Sequence, residues 1–266
     1  MNDYEKFYYK KSEEKSDFTS GPRKHILDII ENSQKDKISV LELGCGEGEF
    51  SNVFSQKVKY SGVDVSEFAI ESAKKKNVFG SGKFFLIDTD SVELPFEDNK
   101  FDFVLGVYSL EHFKFPKEML NEAVRVLTPG GHLILLAPNL EFPLSYINAV
   151  RHKGFFYKIR LYALRILDYF GRILGKSRFR TLKENFTSAT GKYERLDDDL
   201  VYIVSSCEVA SYLKNKHRMQ EIFSDKASKE VTPKGLKGKI KKAIALLPAM
   251  EYYGRVLFTI MQKRLD

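Results

Sequence analysis

The chain has 266 residues, 43% hydrophobic and 30% charged, the make-up of an ordinary globular protein with one large core or one domain plus an elaboration. Its two cysteines, Cys45 and Cys207, lie at unrelated positions, which excludes a disulfide framework and a cysteine metal site and suits a reducing, cytoplasmic compartment; no metal site is expected. The net charge of +7 is unevenly spread: residues 146–180 carry nine Lys/Arg against one acid, Asp168, and a second basic stretch follows at 226–242, which points to an anionic partner or to solvated helix faces.

The charged start, MNDYEKFYYKKSEEKSD, lacks an apolar h-region, and no run of about 18 uncharged apolar residues occurs, so neither a signal peptide nor a membrane span is expected. Residues 1–22 are polar with interleaved aromatics and read as a loose arm ending near Gly21 and Pro22. A helix is expected from Arg23 to Ser33, then a strand from Ile38 to Leu43 that stops in a glycine cluster. Glu49 to Gln56 can make a helix, Val58 to Asp64 a second strand, and Ser66 to Lys76 a helix with Ser66 as N-cap. Lys83 to Asp88 and Phe101 to Tyr108 are the third and fourth strands. Pro116 to Leu127 is a helix opened by proline, and Gly131 to Ala137 is the fifth strand. Strand and helix alternate at short spacing, and the strands are continuous apolar runs. That pattern predicts a parallel sheet covered by helices on both faces.

After Asn139 the rhythm changes. Residues 140–196 are aromatic and basic, and Phe155 to Phe170 can form a helix with Phe155, Ile159, Tyr162, Ile166 and Tyr169 on one side and Lys158, Arg160 and Arg165 around it. Regular patterning returns at Leu200 to Val204, followed by a helix from Ser206 to Asn215, strand-like segments at 219–223 and 254–262, and between them a basic amphipathic stretch at 234–247. The chain divides into an N-terminal arm and helix (1–36), a nucleotide-binding core (37–139), a basic aromatic helical insert (140–196) and a C-terminal completion of the sheet (197–266).

The sharpest signal is VLELGCGEG at 40–48, which joins a buried strand to the expected helix. Gly44, Gly46 and Gly48 let backbone approach a ligand closely, and a helix N-terminus behind them would offer free N–H groups at the carboxyl end of the first strand. A dinucleotide fingerprint reads G-x-G-x-x-G; here the register is G-x-G-x-G, and Glu49 occupies the place of the third glycine. Glu42 fits poorly beside a pyrophosphate and better beside a cationic amino group. Asp64 ends the second strand 20 residues after Gly44, where a carboxylate can accept hydrogen bonds from both ribose hydroxyls.

Four segments, LELGCGEGEF (41–50), GVDVSEFAI (62–70), LPFEDNKFDFVLGVYSLEHF (94–113) and RVLTPGGHLILLAPN (125–139), resemble successive motifs of class I S-adenosylmethionine (SAM)-dependent methyltransferases, in the branch related to ubiquinone and menaquinone biosynthesis. The resemblance implies an α/β, Rossmann-like three-layer sandwich. Its seven-stranded, mostly parallel sheet would have an antiparallel last strand, with the helical insert after strand five. It implies SAM as cofactor, with Glu42 near the methionine amino group and Gly44, Cys45, Gly46 and Gly48 along the methionine and ribose. Asp64 would lie on the ribose hydroxyls, and Val65 and Ser66 beside the adenine. An acid after strand three would meet the adenine amino group. Asp88 is preferred as the residue that ends the strand, and Asp90, beyond Thr89, has the more usual spacing. The segment from Tyr108 to His112 would close over the cofactor. Cys45 is read as packing.

SAM brings its own leaving group, so alignment matters more than a protein nucleophile. A hydroxyl acceptor needs a base, and His112 at the mouth of strand four is best placed, with His152 second; alternatively His112 serves a capping or backbone-bonding role. The acid run 197–199 reads as a solvated turn. The insert is a lid on the domain, a membrane-surface helix reaching anionic headgroups or a lipid-linked substrate, or, last, a nucleic-acid contact, for which no recognisable module is present. The insert followed by DDDLVYIVSSCEVASYL (197–213) also resembles methyltransferases of bacterial surface-polysaccharide pathways. That resemblance implies methyl transfer to an oxygen of a glycan, polyprenyl-linked or other small-molecule acceptor. Competing functions are a non-catalytic SAM-binding or membrane-adaptor protein, a quinone or lipid C- or O-methyltransferase, and, against the glycine register, a nucleotide-dependent oxidoreductase.

Overall fold

A computed structural model describes residues 18–77, 82–88, 92–182, 200–224, 239–240, 243 and 256–265. Helix α1 (Gly21–Glu31) leads into strands β1 (Ile38–Leu43) and β2 (Val58–Asp64), helix α2 (Glu67–Lys76), and strands β3 (Gly82–Leu86) and β4 (Phe101–Val107). Helix α3 (Pro116–Val126), strand β5 (Leu127–Pro138), helices α4 (Phe155–Ile173) and α5 (Ser206–His217), and strands β6 (Gln220–Ser224) and β7 (Val256–Gln262) complete the molecule. The seven strands form one sheet in the order β3-β2-β1-β4-β5-β7-β6. β1 to β5 run parallel, and β7 enters antiparallel between β5 and β6.

The sheet is clothed on both faces. One apolar cluster joins Leu41, Val104 and Leu133 to Leu120 and Ala123 of α3 and to Val209 and Leu213 of α5. The other joins Val40, Leu105 and Ile134 to Ile26 and Ile30 of α1, Phe50, and Ile70 of α2. Burying each such branched or aromatic side chain stabilises by about 1.5–3 kcal/mol, which explains the uninterrupted apolar runs of the central strands. Local signals agree with the ends: Pro22 opens α1, Pro116 opens α3, and the Ser66 hydroxyl accepts the Ala69 N–H at the start of α2.

The expected helix from Glu49 to Gln56 is only a 3-10 turn, Glu49–Asn52. Glu31 of α1 stops it, accepting both the Ser55 N–H and the Ser55 hydroxyl at 2.7 Å. β3 stops at Leu86 rather than Asp88, because its partner β2 ends at Asp64. β5 begins at Leu127, four residues earlier than expected, with a bulge opposite Phe101–Phe103 absorbing the Thr128–Gly131 stretch. Residues 200–204 form no strand; Tyr202 makes a single antiparallel bridge to Thr181. The stretch at 234–247, the arm before Phe18 and the acid run at 197–199 lie outside or almost wholly outside the described residues.

The insert differs most from expectation. α4 buries Leu161, Arg165, Asp168 and Gly171, so Arg165 points inward while Phe155, Ile159 and Ile166 face out. Tyr162 and Tyr169 are half-buried, each under a guanidinium, those of Arg165 and Arg172 at 5.5 and 5.9 Å from the ring centres. Leu161 joins a third apolar cluster with Ile147, Val150, Leu182, Leu200 and Ile203, which fastens the insert to the returning chain.

Candidate active site

The sheet order turns back at β1 and β4: β2 and β3 lie to one side, and β5, β7 and β6 to the other. Such a reversal opens a crevice at the carboxyl ends of the two central strands. The glycine turn leaves β1 there. Gly48 has φ +74°, and a Cβ on it would sit 2.5 Å from the Phe84 ring, so only glycine fits between the turn and β3. The turn's amides are largely taken up internally. Gly44 and Cys45 donate to the Val63 carbonyl at 2.8 and 3.0 Å, Gly48 donates to Cys45 O at 2.9 Å, and Gly46 donates to Asp64 at 2.8 Å. With a 3-10 turn instead of a helix behind it, the loop is not the anion cradle that free helix N–H groups would make. This disfavours a pyrophosphate ligand.

Two buried carboxyls flank the turn. Asp64 spreads its oxygens, Oδ2 to the Gly46 N–H and Oδ1 to the Ser66 N–H at 2.9 Å. Burial raises its pKa, opposed by these amides and by the charge of His112. Glu42 accepts a hydrogen bond from the Tyr60 hydroxyl, and burial pushes its pKa up to about 8, with the Tyr60 bond and the Arg23 guanidinium pulling the other way. A buried acid held this far up is one that a cation would recharge. Cys45 is buried, with its thiol pushed up by burial; Gly62 makes room for it, since a Cβ there would stand 2.7 Å from its Sγ. That is packing geometry, without the electropositive setting of a reactive thiol.

Val65 stands half in solvent just past β2, and Leu86 does the same at the end of β3, two apolar side chains at the lip of the crevice. Asp88 is exposed, two residues beyond β3, and Thr89 and Asp90 lie outside the described residues. On the β4 side, Tyr108 adopts φ +53°, an uncommon conformation for a bulky residue and one that clusters at functional sites. Its ring lies 5.6 Å beneath the Arg23 guanidinium. His112 ends the 3-10 turn Leu110–His112, mostly buried, with Nε2 3.9 Å from Glu111 Oε1. The Glu111 carbonyl accepts the N–H groups of both Val201 and Tyr202 at 2.8 Å, tying the chain returning from the insert to this mouth. His152 lies at the head of the insert and is exposed. Among the described residues no group of three or more side chains could hold a metal ion.

Arg23, Tyr60 and Leu86 escaped the sequence. Tyr60 reads as one more apolar strand residue, Leu86 as core, and Arg23 as an ordinary helical cation; only the folded sheet brings them to the glycine turn.

The fold and the crevice define a Rossmann-like α/β domain suited to a nucleoside ligand. Residues 41–135 match the family model described as a methyltransferase domain. An uncharacterised protein of Methanocaldococcus jannaschii is 38% identical over 95 residues, 36% of this chain and 42% of that protein. A demethylmenaquinone methyltransferase of Staphylococcus aureus is 30% identical over 164 residues, 58% of this chain and 62% of the enzyme. The chain thus spans less than two thirds of either relative. Solved SAM-dependent methyltransferases from Mesorhizobium loti (TM-score 0.54, 15% identity, 90% of this chain and 96% of that one) and Methanosarcina mazei (0.51, 21%, 90% and 98%) share the fold. Residues 41–135 therefore match a methyltransferase domain in sequence, and the two solved structures share its fold. Among the described residues no helix is long and apolar enough to cross a membrane.

Proposed function

We propose that the protein transfers a methyl group from SAM to a small-molecule acceptor, at an oxygen of a glycan or of a polyprenyl-linked glycan. The observation that carries the cofactor is the pair of buried carboxyls, Glu42 and Asp64, beside a glycine turn whose amides are largely bonded; the acceptor rests on the likeness of the insert and residues 197–213 to methyltransferases of surface-polysaccharide pathways. SAM offers an ammonium and a ribose diol and no phosphate, the groups these residues match. Bound there, it supplies a methyl group on a positively charged sulfur. Glu42 would give up its proton and hold the ammonium. Asp64 would accept from the ribose hydroxyls with the lone pairs its two backbone bonds leave over. Val65, Ser66 and Leu86 would border the adenine with Asp88 at its amino group, and Tyr108 would close the methionine side. For a hydroxyl acceptor the base is His112, which shares the crevice with Asp64.

Calorimetric titration with SAM and with NADH tests the cofactor. SAM binding by wild type that is lost in Asp64→Ala supports the assignment, whereas folded wild type that ignores SAM or prefers NADH overturns it. His112→Asn should lower kcat by about 10²–10⁴-fold with SAM affinity unchanged. The match to a demethylmenaquinone methyltransferase favours a second acceptor, a carbon of a quinol ring. Turnover on a quinol without turnover on sugar nucleotides or lipid-linked glycans, and without the His112→Asn loss, would select it.

A further inference from the structure

We propose that α4 seats the protein on an anionic lipid bilayer through the apolar face it turns away from the sheet. The inner face fixes the helix. Arg165 donates to the carbonyls of Leu140, Phe142 and Ser145 at 2.9, 2.7 and 2.6 Å, Arg172 to Glu141 O at 2.9 Å, and Asp168 pairs with Arg180. With the polar side docked, the outer side carries Phe156, Ile159, Ile166, Leu167, Phe170 and Leu174, at helical spacing and all exposed, Phe156 by 84% and Leu174 by 73%. At 100° per residue these six fall in an arc of about 100°, a continuous stripe along 19 residues, or about 28 Å. Monomeric surfaces rarely leave such a stripe bare.

The charge around it names the occupant. Arg160 is exposed beside the stripe, Lys176 and Arg178 are exposed just past the helix end, with Arg178 Nη1 3.8 Å from Asp168 Oδ1, and Lys158 on the helix flank is half-exposed and donates to the Arg151 carbonyl at 2.8 Å. The only acid between residues 142 and 182 is Asp168, which is turned inward and ion-paired. An apolar stripe with Arg160 at its edge and Lys176 and Arg178 at its end, and no exposed acid between residues 142 and 182, matches the acyl boundary and phosphate layer of an anionic membrane. A second copy docked face to face would bring two sets of these cations together, and a nucleic acid would leave the aliphatic stripe in water. The helix would lie in the interface plane, where its interior charges remain in protein. This seating involves none of the residues assigned to methyl transfer.

Flotation with vesicles of phosphatidylcholine alone and of phosphatidylcholine mixed with phosphatidylglycerol tests it. Wild type should float with the anionic vesicles and dissociate as salt is raised. F156E/F170E should weaken binding about tenfold or more, and R160Q/K176Q roughly fivefold for each cation removed. All these side chains are exposed, so melting temperature and SAM affinity should stay at wild-type values. The proposal falls if wild type ignores anionic vesicles, if it binds phosphatidylcholine alone as tightly, or if F156E/F170E floats like wild type. Concentration-dependent dimerisation that F156E/F170E abolishes, without vesicle binding, would assign the face to a second copy instead.

Discussion

The core at residues 38–138 and the insert at 140–182 solve one problem in opposite ways. In the core, strand ladders satisfy the backbone, so apolar side chains can fill both faces of the sheet and charge stays at the ends of strands. In the insert, the chain leaving β5 runs irregularly, and its carbonyls at Leu140, Glu141 and Ser145 have no ladder to join, while that of Phe142 accepts only the Ser145 N–H of a local turn. Two guanidiniums supply the donors, and placing them inside turns the apolar side of α4 outward. A buried backbone group must be paired, and the means of pairing it decides which face of a helix is polar.

Arg165→Ala breaks that arrangement most. It strands the Leu140 and Ser145 carbonyls at about 1–3 kcal/mol each, while Phe142 O keeps the Ser145 N–H, so the insert should lose hydrogen-exchange protection while β1, β2 and β4 keep theirs. Equal protection loss in both regions would show that the two are not separable. In the core, Asp64→Ala removes the acceptor of the Gly46 and Ser66 amides together with the ribose contact, and should weaken SAM binding about a hundredfold or more in a calorimetric titration. Gly48→Ala forces a Cβ toward the Phe84 ring at positive φ and should cost about 1–3 kcal/mol in urea unfolding. Glu42 gives the finest distinction. Folding keeps on it a proton that the unfolded chain releases above 4.5, so its contribution to stability declines as pH rises from 4.5 to about 8 and levels off above that. Glu42→Gln should flatten this decline and weaken SAM binding. Calorimetry of wild type in buffers of different ionisation enthalpy should show proton release on SAM binding at pH 7, and none in Glu42→Gln.

The core was legible because its elements announce themselves locally. Apolar runs such as ISVLEL, the closing Asp64, the capping Ser66 and the glycines at 44–48 each carry their structural meaning within a few residues, and the sheet gathers them at one crevice. The insert was legible only as a helix. Its periodicity marks two faces, but which one is buried depends on carbonyls 20 residues upstream that sequence spacing does not reveal. For the same reason helical spacing alone groups Phe155, Ile159 and Ile166 with Tyr162 and Tyr169, which lie half-buried under the two guanidiniums. Arg23 and Tyr60 were hidden because their partners are Tyr108 and Glu42, distant along the chain. The helix expected after Gly48 failed because a carboxylate from α1 captured its end.

The position of β7 bears on how the polypeptide is made. Its register runs from His132 opposite Gln262 to Pro138 opposite Val256, so β5 finds its neighbour only after more than a hundred further residues have left the ribosome. Until then one edge of the growing sheet, Leu133 to Leu136 included, is open to pairing with other chains. Closing that long loop is a late, non-local event that should set the pace of folding. Chains stopped before residue 256 should therefore aggregate during synthesis, even though every residue of the glycine turn is already in place.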